Sequence, residues 1–573
     1  MKFGDQFARL ALASLLLLAA CGGGADSLNP TSGDNAELSS FISATKKASV
    51  SAPAPLGSYP NANSALGTNL SQLSYYSTEL PFIDAMKSAS AWIPQNNTAW
   101  NTGESLVTDG NGYVKTIPSS GTTYTKVGTL MFRNMISRYP AGKYVVLYKG
   151  SGNIIYGFDA VKNEVESRPG RDIIDVDPSK GGGIYLCITK TDPQQVGDYL
   201  RGIHVIPAIY ENTFTSDIFN PSFLHKLEKF KVLRFMDWMN TNGSMQRDWT
   251  ERPQETNFSF AKAGAPVETM VKLSNRIHAD PWFNMPHKAT DDYISSFATA
   301  VKAQLSTDLN IHVEYSNEVW NGIFEQSTWT LQQAQLQWPS LAASDFTKKI
   351  NWFGQRSAQM CDIWKKVFVD TPGRVQCVMG SQAASTWVST QALECPLSSI
   401  APCYRHGISA LAIAPYFGGY LGDPGVSAQV QQWNVPQLFH ELNVGGSLPN
   451  RTKSALQESS DWMTAQASIA TKYGIKMVAY EGGQHLVGTS GNENNILISE
   501  LFISANRDSQ MKNAYASYLK NWRAAGGTLF VNYSSVGRYS KWGSWGTAEY
   551  LDEIATPKSV AIDDFLTANL QWW

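Results

Sequence analysis

The stretch EYSNEVWN, residues 314–321, puts an amide and a carboxyl group side by side at the end of an apolar run. The run predicts a buried strand that ends at Asn317 and Glu318 with no turn residue between. A second apolar run, in KMVAYEGGQH, ends in the same way, with Glu481 directly after Tyr480. Two carboxyl groups can cleave one bond together, because one donates a proton to the leaving oxygen while the other attacks the carbon that this oxygen leaves. Glu318 and Glu481 are therefore the candidate catalytic pair.

The chain around this pair alternates strand-like runs with helix-length segments. Together with a strand near Leu70 the runs number eight, which predicts an α/β fold of the (β/α)8, or TIM barrel, type. The seven further runs are KVLRFMDW, PWFNMPH, NIHVEYSNE, RVQCVMGSQ, ALAIAPYFG, IKMVAYEGG and GTLFVNYSS. Glu318 then ends the fourth strand and Glu481 the seventh, at the barrel mouth where such enzymes hold their active sites. An open doubly wound sheet is the rival fold, and the lack of a Gly-rich phosphate loop after any run disfavours it.

The segment between the first two barrel strands has a different character. It holds short β-branched and aromatic runs separated by Gly, Pro and Asp, and VVLYKGSGNIIYG is typical of a hairpin. These runs predict an all-β, sandwich-like insert in the first βα crossover. The expected divisions of the chain are a signal peptide at 1–21, a linker at 22–62, the first βα unit at 63–102, the insert at 103–208 and the rest of the barrel at 209–573.

A helix is expected inside the first βα unit, in the sequence STELPFIDAMKSAS. Ser77 or Thr78 would cap its N-terminus, and Pro81 suits a first helical turn because it has no backbone N–H to leave unsatisfied. After the insert, the chain is expected to rejoin the barrel at FNPSFLHKLEKF.

The N-terminal residues predict a targeting segment. Lys2 and Arg9 give it a positive start, and the apolar run Leu10–Ala20 is too short to span a bilayer. Small residues followed by Cys21 resemble a bacterial lipoprotein signal, in which the cysteine is lipidated; the alternative is an ordinary secretory signal. We expect an exported protein, either held at the bacterial outer membrane through this lipid alone or secreted. No later run is long and apolar enough for a second span.

The bulk composition excludes some classes of partner. Hydrophobic residues make up 43% of the 573 residues and charged residues 16%, which is typical of a folded chain. The formal net charge of -2 gives no electrostatic basis for binding nucleic acid or an anionic membrane surface. The 18 Trp and 24 Tyr exceed the needs of a core; their flat faces suit the apolar faces of sugar rings, and they suit packing as well.

The cysteines outside the targeting segment predict one disulfide. Cys395 and Cys403 bracket the short loop ECPLSSIAPC and are expected to pair in an oxidising compartment. The others are expected to be small buried thiols: Cys187, Cys361 and Cys377. The sequence contains no CxxC, no HExxH and no His pair at ligand spacing, so we expect no protein-built metal site.

The motifs SNE, ending the fourth predicted strand, and YEGG, ending the seventh, resemble those of the clan A glycoside hydrolases, which are retaining enzymes on (β/α)8 barrels. The resemblance covers about residues 66–573 apart from the insert, and it fits no single family of known substrate. It implies that Glu318 is the acid/base, that Glu481 is the nucleophile, and that Asn317 donates to the 2-hydroxyl of the sugar. This chemistry requires no cofactor.

The resemblance extends to further strand ends. Arg234, on the second strand, resembles the clan's Arg that steadies the nucleophile. His287, after the third strand, resembles its substrate-facing His. Tyr416, in APYFGG, resembles the Tyr that hydrogen-bonds the nucleophile. The aromatic floor of the cleaved-sugar subsite is expected in NYSSVGRYSKWGSWG, which offers Trp542, the preferred candidate, and Trp545.

Two residues near the glutamates complete the expected substrate-binding set: Trp320 and His485. Structural roles compete with these assignments. A glutamate at a strand end can be a surface charge or the partner of a helix N-terminus, and His287 and His485 can be satisfied core histidines.

Arg234 lies inside an apolar strand and must be paired, because an unpaired buried charge is costly. Glu314 faces the same side of its strand as Glu318, either as a further carboxylate of the site or, as we expect, as the buried partner of Arg234. A pairing of Arg234 near Glu481 would keep that carboxylate ionised, as a nucleophile requires, whereas the acid needs the opposite shift.

The sequence therefore favours a retaining glycosidase acting on a β-linked polysaccharide or oligosaccharide of the glucan, cellulose or mannan kind. The alternative is a catalytically inert carbohydrate-binding surface lipoprotein on the same fold, with the insert as its binding module. A structural surface protein that uses the barrel as a scaffold is a third possibility. Endo or exo action, the linkage cleaved and the oligomeric state are left open by the sequence.

Overall fold

The computed structural model describes residues 59–117 and 121–573. The predicted signal peptide, Cys21 and most of the predicted linker lie outside the described residues. Inside them, the chain folds into a closed barrel of parallel strands and two small antiparallel sheets.

The two antiparallel sheets form an insert in the chain between the first barrel strand, β1 (Leu66–Asn69), and the second. The insert strands are β2 (Ile93–Gln95), β3 (Lys126–Met131), β4 (Gly142–Lys149), β5 (Gly152–Phe158), β6 (Ala160–Lys162), β7 (Arg171–Val176), β8 (Ile184–Thr191) and β9 (Arg201–Pro207). They form one sheet in the order β2-β3-β8-β5 and another in the order β6-β7-β4-β9. Val127 and Leu186 of the first sheet belong to the same hydrophobic core as Val146 and Ile174 of the second.

The insert begins earlier than the predicted start at 103, because β2 pairs antiparallel with β3 through Ile93 and Gly128. The helix expected after β1 is also replaced, by a single 3-10 turn at Ala85–Ser88. Its cap is Asp84, whose carboxylate accepts from the backbone N–H of Met86 at 3.1 Å and from that of Val205 at 3.0 Å. The conformation of this segment is therefore set by a contact with β9 of the insert and not by local helix propensity.

The barrel consists of eight parallel strands in chain order, which confirms the predicted (β/α)8 fold. After β1 they are β10 (Val232–Arg234), β11 (Asp280–Met285), β12 (Ile311–Tyr315), β13 (Val375–Gly380), β14 (Ile408–Ile413), β15 (Lys476–Ala479) and β16 (Phe530–Asn532). The barrel closes where Gly67 of β1 lies opposite Val531 of β16. Every residue of β11 and β12 is buried, as expected for parallel strands covered by helices outside and packed side chains inside.

Helices surround the barrel strands. They are α1 (Pro221–Leu227), α2 (Val267–Ile277), α3 (Asp291–Gln304), α4 (Glu325–Gln337), α5 (Asp345–Val367), α6 (Thr386–Glu394), α7 (Pro424–Val430), α8 (Val435–Asn443), α9 (Ala455–Tyr473), α10 (Ile496–Arg507), α11 (Gln510–Ala524) and α12 (Pro557–Ala568). Side-chain caps begin several of them: Thr290 accepts from Tyr293 N at the start of α3, and Ser454 from Gln457 N at the start of α9. In the described part of the chain, no helix has the length and apolarity to cross a membrane.

Two disulfides are present. Cys395 and Cys403 are joined, which is the pair that the sequence predicts. A second disulfide joins Cys361 of α5 to Cys377 of β13, so the expectation that these two are separate thiols is wrong. The helix packs on the strand and brings the two side chains together, although 16 residues separate them in sequence. Cys187 is a buried free thiol, as predicted.

Both ends of the described chain lie at the N-terminal end of the barrel strands. The ring of Tyr59 stacks on His278, just before β11, with 4.0 Å between centroids. The indole N–H of Trp573 donates to the carbonyl of Ala65, just before β1, at 3.0 Å. A cavity of about 170 Å³ opens at this end, with His312 of β12 in its lining.

Candidate active site

Glu318 and Glu481 both follow the C-terminal ends of barrel strands. Glu318 comes shortly after β12, the fourth strand of the barrel, and Glu481 comes shortly after β15, the seventh. Both side chains are buried, with exposed fractions of 3% for Glu318 and 0% for Glu481. The charge of Glu318 raises the pKa of Glu481, so the two carboxyl groups interact across the barrel mouth.

Arg234, the last residue of β10, holds the centre of the site and is fully buried. Its guanidinium donates to Oε1 of Glu481 at 2.8 Å and to Oε2 of Glu314 at 2.9 Å. It also donates to the amide oxygens of Asn317 at 2.9 Å and Asn69 at 3.1 Å. The buried partner expected for Arg234 is thus Glu314, and the same guanidinium also reaches Glu481.

Glu314 is fixed by residues that the sequence did not single out. Oε2 of Glu314 accepts from the indole N–H of Trp282 at 2.9 Å and from the amide of Asn284 at 2.8 Å, in addition to Arg234. Two neutral donors and a paired cation thus satisfy this buried carboxyl group. Its role here is to orient the guanidinium.

Glu481 receives a donor on each carboxyl oxygen. Arg234 donates to Oε1, and the hydroxyl of Tyr416, which follows β14, donates to Oε2 at 3.0 Å. Burial raises the pKa of Glu481, while Arg234 and Tyr416 act in the opposite direction because they stabilise the ionised form. The strand positions expected for Arg234 and Tyr416 thus bring both to this one carboxylate.

Glu318 receives two neutral donors. The hydroxyl of Tyr480 donates to Oε1 at 2.8 Å, and the amide of Asn321 donates to Oε2 at 3.0 Å. Burial raises the pKa of Glu318, and the charge of Glu314 adds to the effect. Since the Arg234 hydrogen bonds go to Glu481 and Glu314, we expect the negative charge of the pair on Glu481 and the proton on Glu318.

The backbone that carries Glu318 is held in an unusual conformation. Ser316 and Glu318 have φ of 59° and 42°, in the left-handed region that side-chain-bearing residues rarely adopt. Each such residue costs about 1–3 kcal/mol, and such residues cluster at functional sites where the surrounding contacts enforce them. A backbone bond from Asn321 N to Glu318 O at 2.8 Å closes this turn.

Asn317 is held by donors and acceptors on both sides of its amide. Its oxygen accepts from Arg234, and its nitrogen donates to the side-chain oxygen of Asn242 at 3.2 Å. Gln326 of α4 donates to the same Asn242 oxygen at 2.7 Å and to the backbone oxygen of Asn317 at 2.8 Å. These contacts fix the orientation of the amide beside the carboxyl pair.

His287 follows β11, as expected, and its ring contacts α4. Its Nε2 lies 2.6 Å from a carboxylate oxygen of Glu325, and its ring packs edge-on against Trp329 with 5.4 Å between centroids. Burial lowers the pKa of His287 to about 4, so the ring is neutral at pH 7. These contacts fit the structural alternative for His287 better than a substrate-facing one.

The aromatic side of the site contains Trp545 rather than Trp542. The ring of Trp545 lies 5.7 Å from that of Tyr416 and 4.8 Å from that of His485. Trp542 is 62% exposed, and the ammonium of Lys541 lies over its ring. Of the two candidate rings, Trp545 is thus the one that contacts Tyr416, which favours it over Trp542 as the aromatic floor.

Two further predicted residues line the same side. His485 is buried beside Tyr416, with 5.4 Å between the ring centroids, and burial lowers its pKa to about 4. Trp320 is 5% exposed and lies edge-on to Tyr480 with 6.4 Å between centroids. Both contact tyrosines that bond to the candidate pair.

Several residues of the site were missed by sequence reasoning, and most follow strand ends: Asn69, Asp237, Asn284, Asn321, Tyr480 and Tyr533. The signal that could have found them is the one used for the glutamates, a polar residue at the C-terminal end of a barrel strand. Among the described residues, no cluster of His, Cys, Asp and Glu could hold a metal ion.

Comparison with known proteins gives distant structural likenesses. No family model matches the sequence, and no curated protein matches it. A broad specificity endoglucanase from Clostridium acetobutylicum aligns at 13% identity over 60% of this chain and 90% of its own, with a TM-score of 0.35. A modular endo-β-1,4-mannanase from Cellulomonas fimi aligns at 9% identity over 59% of this chain and 62% of its own, with a TM-score of 0.30. An exo-β-1,4-mannosidase from Opitutaceae bacterium strain TAV5 aligns at 12% identity over 60% and 54%, with a TM-score of 0.32.

Proposed function

We propose that this protein is a retaining glycoside hydrolase that cleaves a β-linked polysaccharide of the glucan or mannan kind. The observation that carries the proposal is the division of donors between the two glutamates. Glu481 has a buried guanidinium and a tyrosine hydroxyl, whereas Glu318 has a tyrosine hydroxyl and an amide. One carboxyl group is thereby prepared as an anion and the other as an acid.

The proposed reaction has two steps. In the first, the Glu481 carboxylate attacks the anomeric carbon while Glu318 gives its proton to the glycosidic oxygen, which leaves as an alcohol. In the second, Glu318 takes a proton from water, the water oxygen attacks the anomeric carbon, and Glu481 departs as a carboxylate. The two displacements on one carbon return the original anomeric configuration, and both glutamates end in their starting protonation states.

The test is an assay of released reducing ends on purified glucans and mannans. Glu481→Gln and Glu318→Gln should each lower the rate by several orders of magnitude, because each removes a group needed in both steps. Glu500→Gln, at an exposed position of α10, is the matched control and should behave as the parent. Proton NMR of the first product should show retention of configuration. Undiminished activity of Glu481→Gln would exclude it as the nucleophile.

A second candidate is a carbohydrate-binding protein without turnover, and an aromatic patch on the insert favours it. Trp100 and Phe158 are 50% and 43% exposed, and both rings lie against Tyr185, with centroids at 5.2 and 5.3 Å. Exposed aromatic faces of this kind suit stacking on sugar rings. Binding of polysaccharide with no reducing ends released, and loss of that binding in Trp100→Ala, would support this candidate over the hydrolase.

Export and lipid attachment at Cys21 complete the proposal. The two disulfides suit an oxidising compartment, as expected of an exported protein. Expressed in a Gram-negative host, the full chain should fractionate with membranes and incorporate labelled fatty acid. Cys21→Ser should be unlabelled and soluble; a parent protein without label would instead indicate an ordinary secretory signal.

A further inference from the structure

Asp237 is a carboxylate of the site to which the catalytic scheme gives no role. It follows Arg234 by three residues, just past the end of β10, and therefore lies at the same end of the barrel as Glu318 and Glu481. The two glutamates are buried, whereas the Asp237 side chain is partly exposed. A carboxylate that combines nearness to Glu481 with access from outside can meet a substrate directly.

Tyr533 connects Asp237 to the segment that carries Glu481. Its hydroxyl donates to Oδ2 of Asp237 at 3.2 Å. Its backbone N–H donates to the carbonyl of Gly482, the residue after Glu481, at 3.1 Å. The tyrosine is partly exposed and its ring lies 6.0 Å from that of Trp545. Asp237 and Tyr533 thus form an accessible wall next to the candidate nucleophile.

The charges around this wall are unbalanced. The negative charge of Asp237 acts on Glu481 and on Glu79, a buried carboxyl group in the segment that follows β1. Arg234 is the nearby cation, and its hydrogen bonds go to Glu314, Glu481 and two amides. No ion pair to Asp237 is present in the described part of the chain. Burial raises the pKa of Asp237 to about 6, so it is ionised above neutral pH.

We propose that Asp237 and Tyr533 form a specificity-determining sugar position beside the cleaved bond, which takes an uncharged sugar residue and excludes one that carries a carboxylate. The inference rests on the proposed glycan-cleaving function and names the substrate class. A neutral sugar offers hydroxyl donors to the carboxylate, and hydrogen bonds to an ionised acceptor are among the stronger ones. A uronic acid would place a second negative charge against Asp237, and the nearby cation, Arg234, is already paired with Glu314 and Glu481.

The experiment compares matched neutral and acidic ligands by calorimetric binding. One pair is the hexasaccharide of β-1,4-mannose and that of β-1,4-mannuronate; the other is the hexasaccharide of β-1,4-glucose and its C6-oxidised glucuronate counterpart. All variants carry Glu318→Gln so that no ligand is consumed, and the measurements are made at about pH 8, where Asp237 is ionised. The quantity of interest is the ratio of the neutral to the acidic Kd in each pair.

The parent should bind a neutral hexamer and discriminate against its acidic form, and Asp237→Asn should reduce that discrimination roughly tenfold, since it removes one like charge. Asp292→Asn, at an exposed position on α3, changes the net charge equally and should leave the ratio unchanged. Tyr533→Phe should weaken binding of the neutral hexamer but keep the discrimination, because the Asp237 charge is retained. Thermal melting of each variant verifies that it is folded.

An unchanged ratio in Asp237→Asn, or no binding of either neutral hexamer, would overturn the inference. An equal change of the Kd ratio in Asp292→Asn would also overturn it, because the effect would then come from the net charge of the protein. Failure of the proposed hydrolase is separately visible: the protein with Glu318 intact would release no reducing ends, while the ratio measured by binding would still respond to Asp237→Asn.

Discussion

Tyr480 donates its hydroxyl to Oε1 of Glu318 at 2.8 Å, although the two residues follow different barrel strands, β15 and β12. Tyr480 directly precedes Glu481, so one short segment supplies both the candidate nucleophile and a donor to the candidate acid. The two carboxyl groups are therefore linked through one short chain segment as well as by an electrostatic interaction. Changes at single hydroxyl groups should be visible in the pH dependence of activity.

Tyr480→Phe removes a donor that stabilises the ionised form of Glu318. That donor lowers the Glu318 pKa, so its loss should raise this pKa further and move the alkaline limb of kcat/KM to higher pH, by about one unit for a hydrogen bond to a charged group. A pH series of initial rates measures the shift. If the alkaline limb does not move, the ionisation of Glu318 is not what sets that limb.

Tyr416→Phe removes the donor to Oε2 of Glu481. The hydroxyl lowers the Glu481 pKa, so the variant should need a higher pH to ionise the nucleophile, and the acidic limb should rise by about one unit. At pH values below that limb, kcat/KM should fall by about tenfold. A variant that loses activity equally at every pH would show that Tyr416 acts on positioning alone.

Arg234→Met leaves Glu314 and Glu481 as buried carboxylates without their cation. Breaking a buried pair by removing one partner typically costs about 3–5 kcal/mol, and we expect a loss of that size in the free energy of unfolding. Arg234→Lys should lose less stability but still lose activity, because an ammonium keeps the charge without the planar fork of donors. Denaturant titrations followed by Trp fluorescence measure both, and a Met variant as stable as the parent would contradict the assignment.

The disulfide between Cys361 and Cys377 ties α5 to β13 across a sequence separation of 16. The double variant C361A/C377A should lose about 3 kcal/mol of stability, because closing a loop of that length restricts the unfolded chain by about that amount. The parent should melt at a lower temperature in reductant. The loss in reductant should be smaller in the double variant, where only the Cys395–Cys403 link is left to break.

His312 should make the protein less stable in acid. Burial lowers its pKa from 6.5 to about 3, so between these values the unfolded chain binds a proton that the folded chain does not. The free energy of unfolding therefore falls as pH is lowered through this window, by up to about 1.4 kcal/mol per pH unit for this group. His312→Gln should show a shallower slope over the same range, whereas His225→Gln, at an exposed position of α1, should keep the parent slope.

The sequence predicted the barrel because its signal is local and repeated. Each parallel strand is a short apolar run, and each is followed by enough residues for a helix, so that the strand count alone leads to the fold. The expected neighbours of Glu481, Arg234 and Tyr416, came from the resemblance to the clan A glycoside hydrolases, which gives roles to residues at these strand ends. Glu314 was placed as the partner of Arg234 because strand alternation turns it to the same side as Glu318.

What the sequence did not predict depends on contacts between distant segments. Asp84 begins a single turn because β9 supplies its backbone partner more than a hundred residues later. Cys361 meets Cys377 only once α5 packs on β13. Trp545 and Trp542 are separated by three positions in one loop, and only the path of that loop decides which ring reaches Tyr416. Propensity and spacing carry no information about such contacts.

The stacking of Tyr59 on His278 and the bond from Trp573 to Ala65 hold both ends of the described chain at the base of the barrel. Glu318 and Glu481 lie at the far end, past the C-terminal ends of the strands. The residues before Tyr59 therefore join the barrel at its base and not at its mouth. A long polymer can approach the mouth without passing the point at which those residues join the barrel.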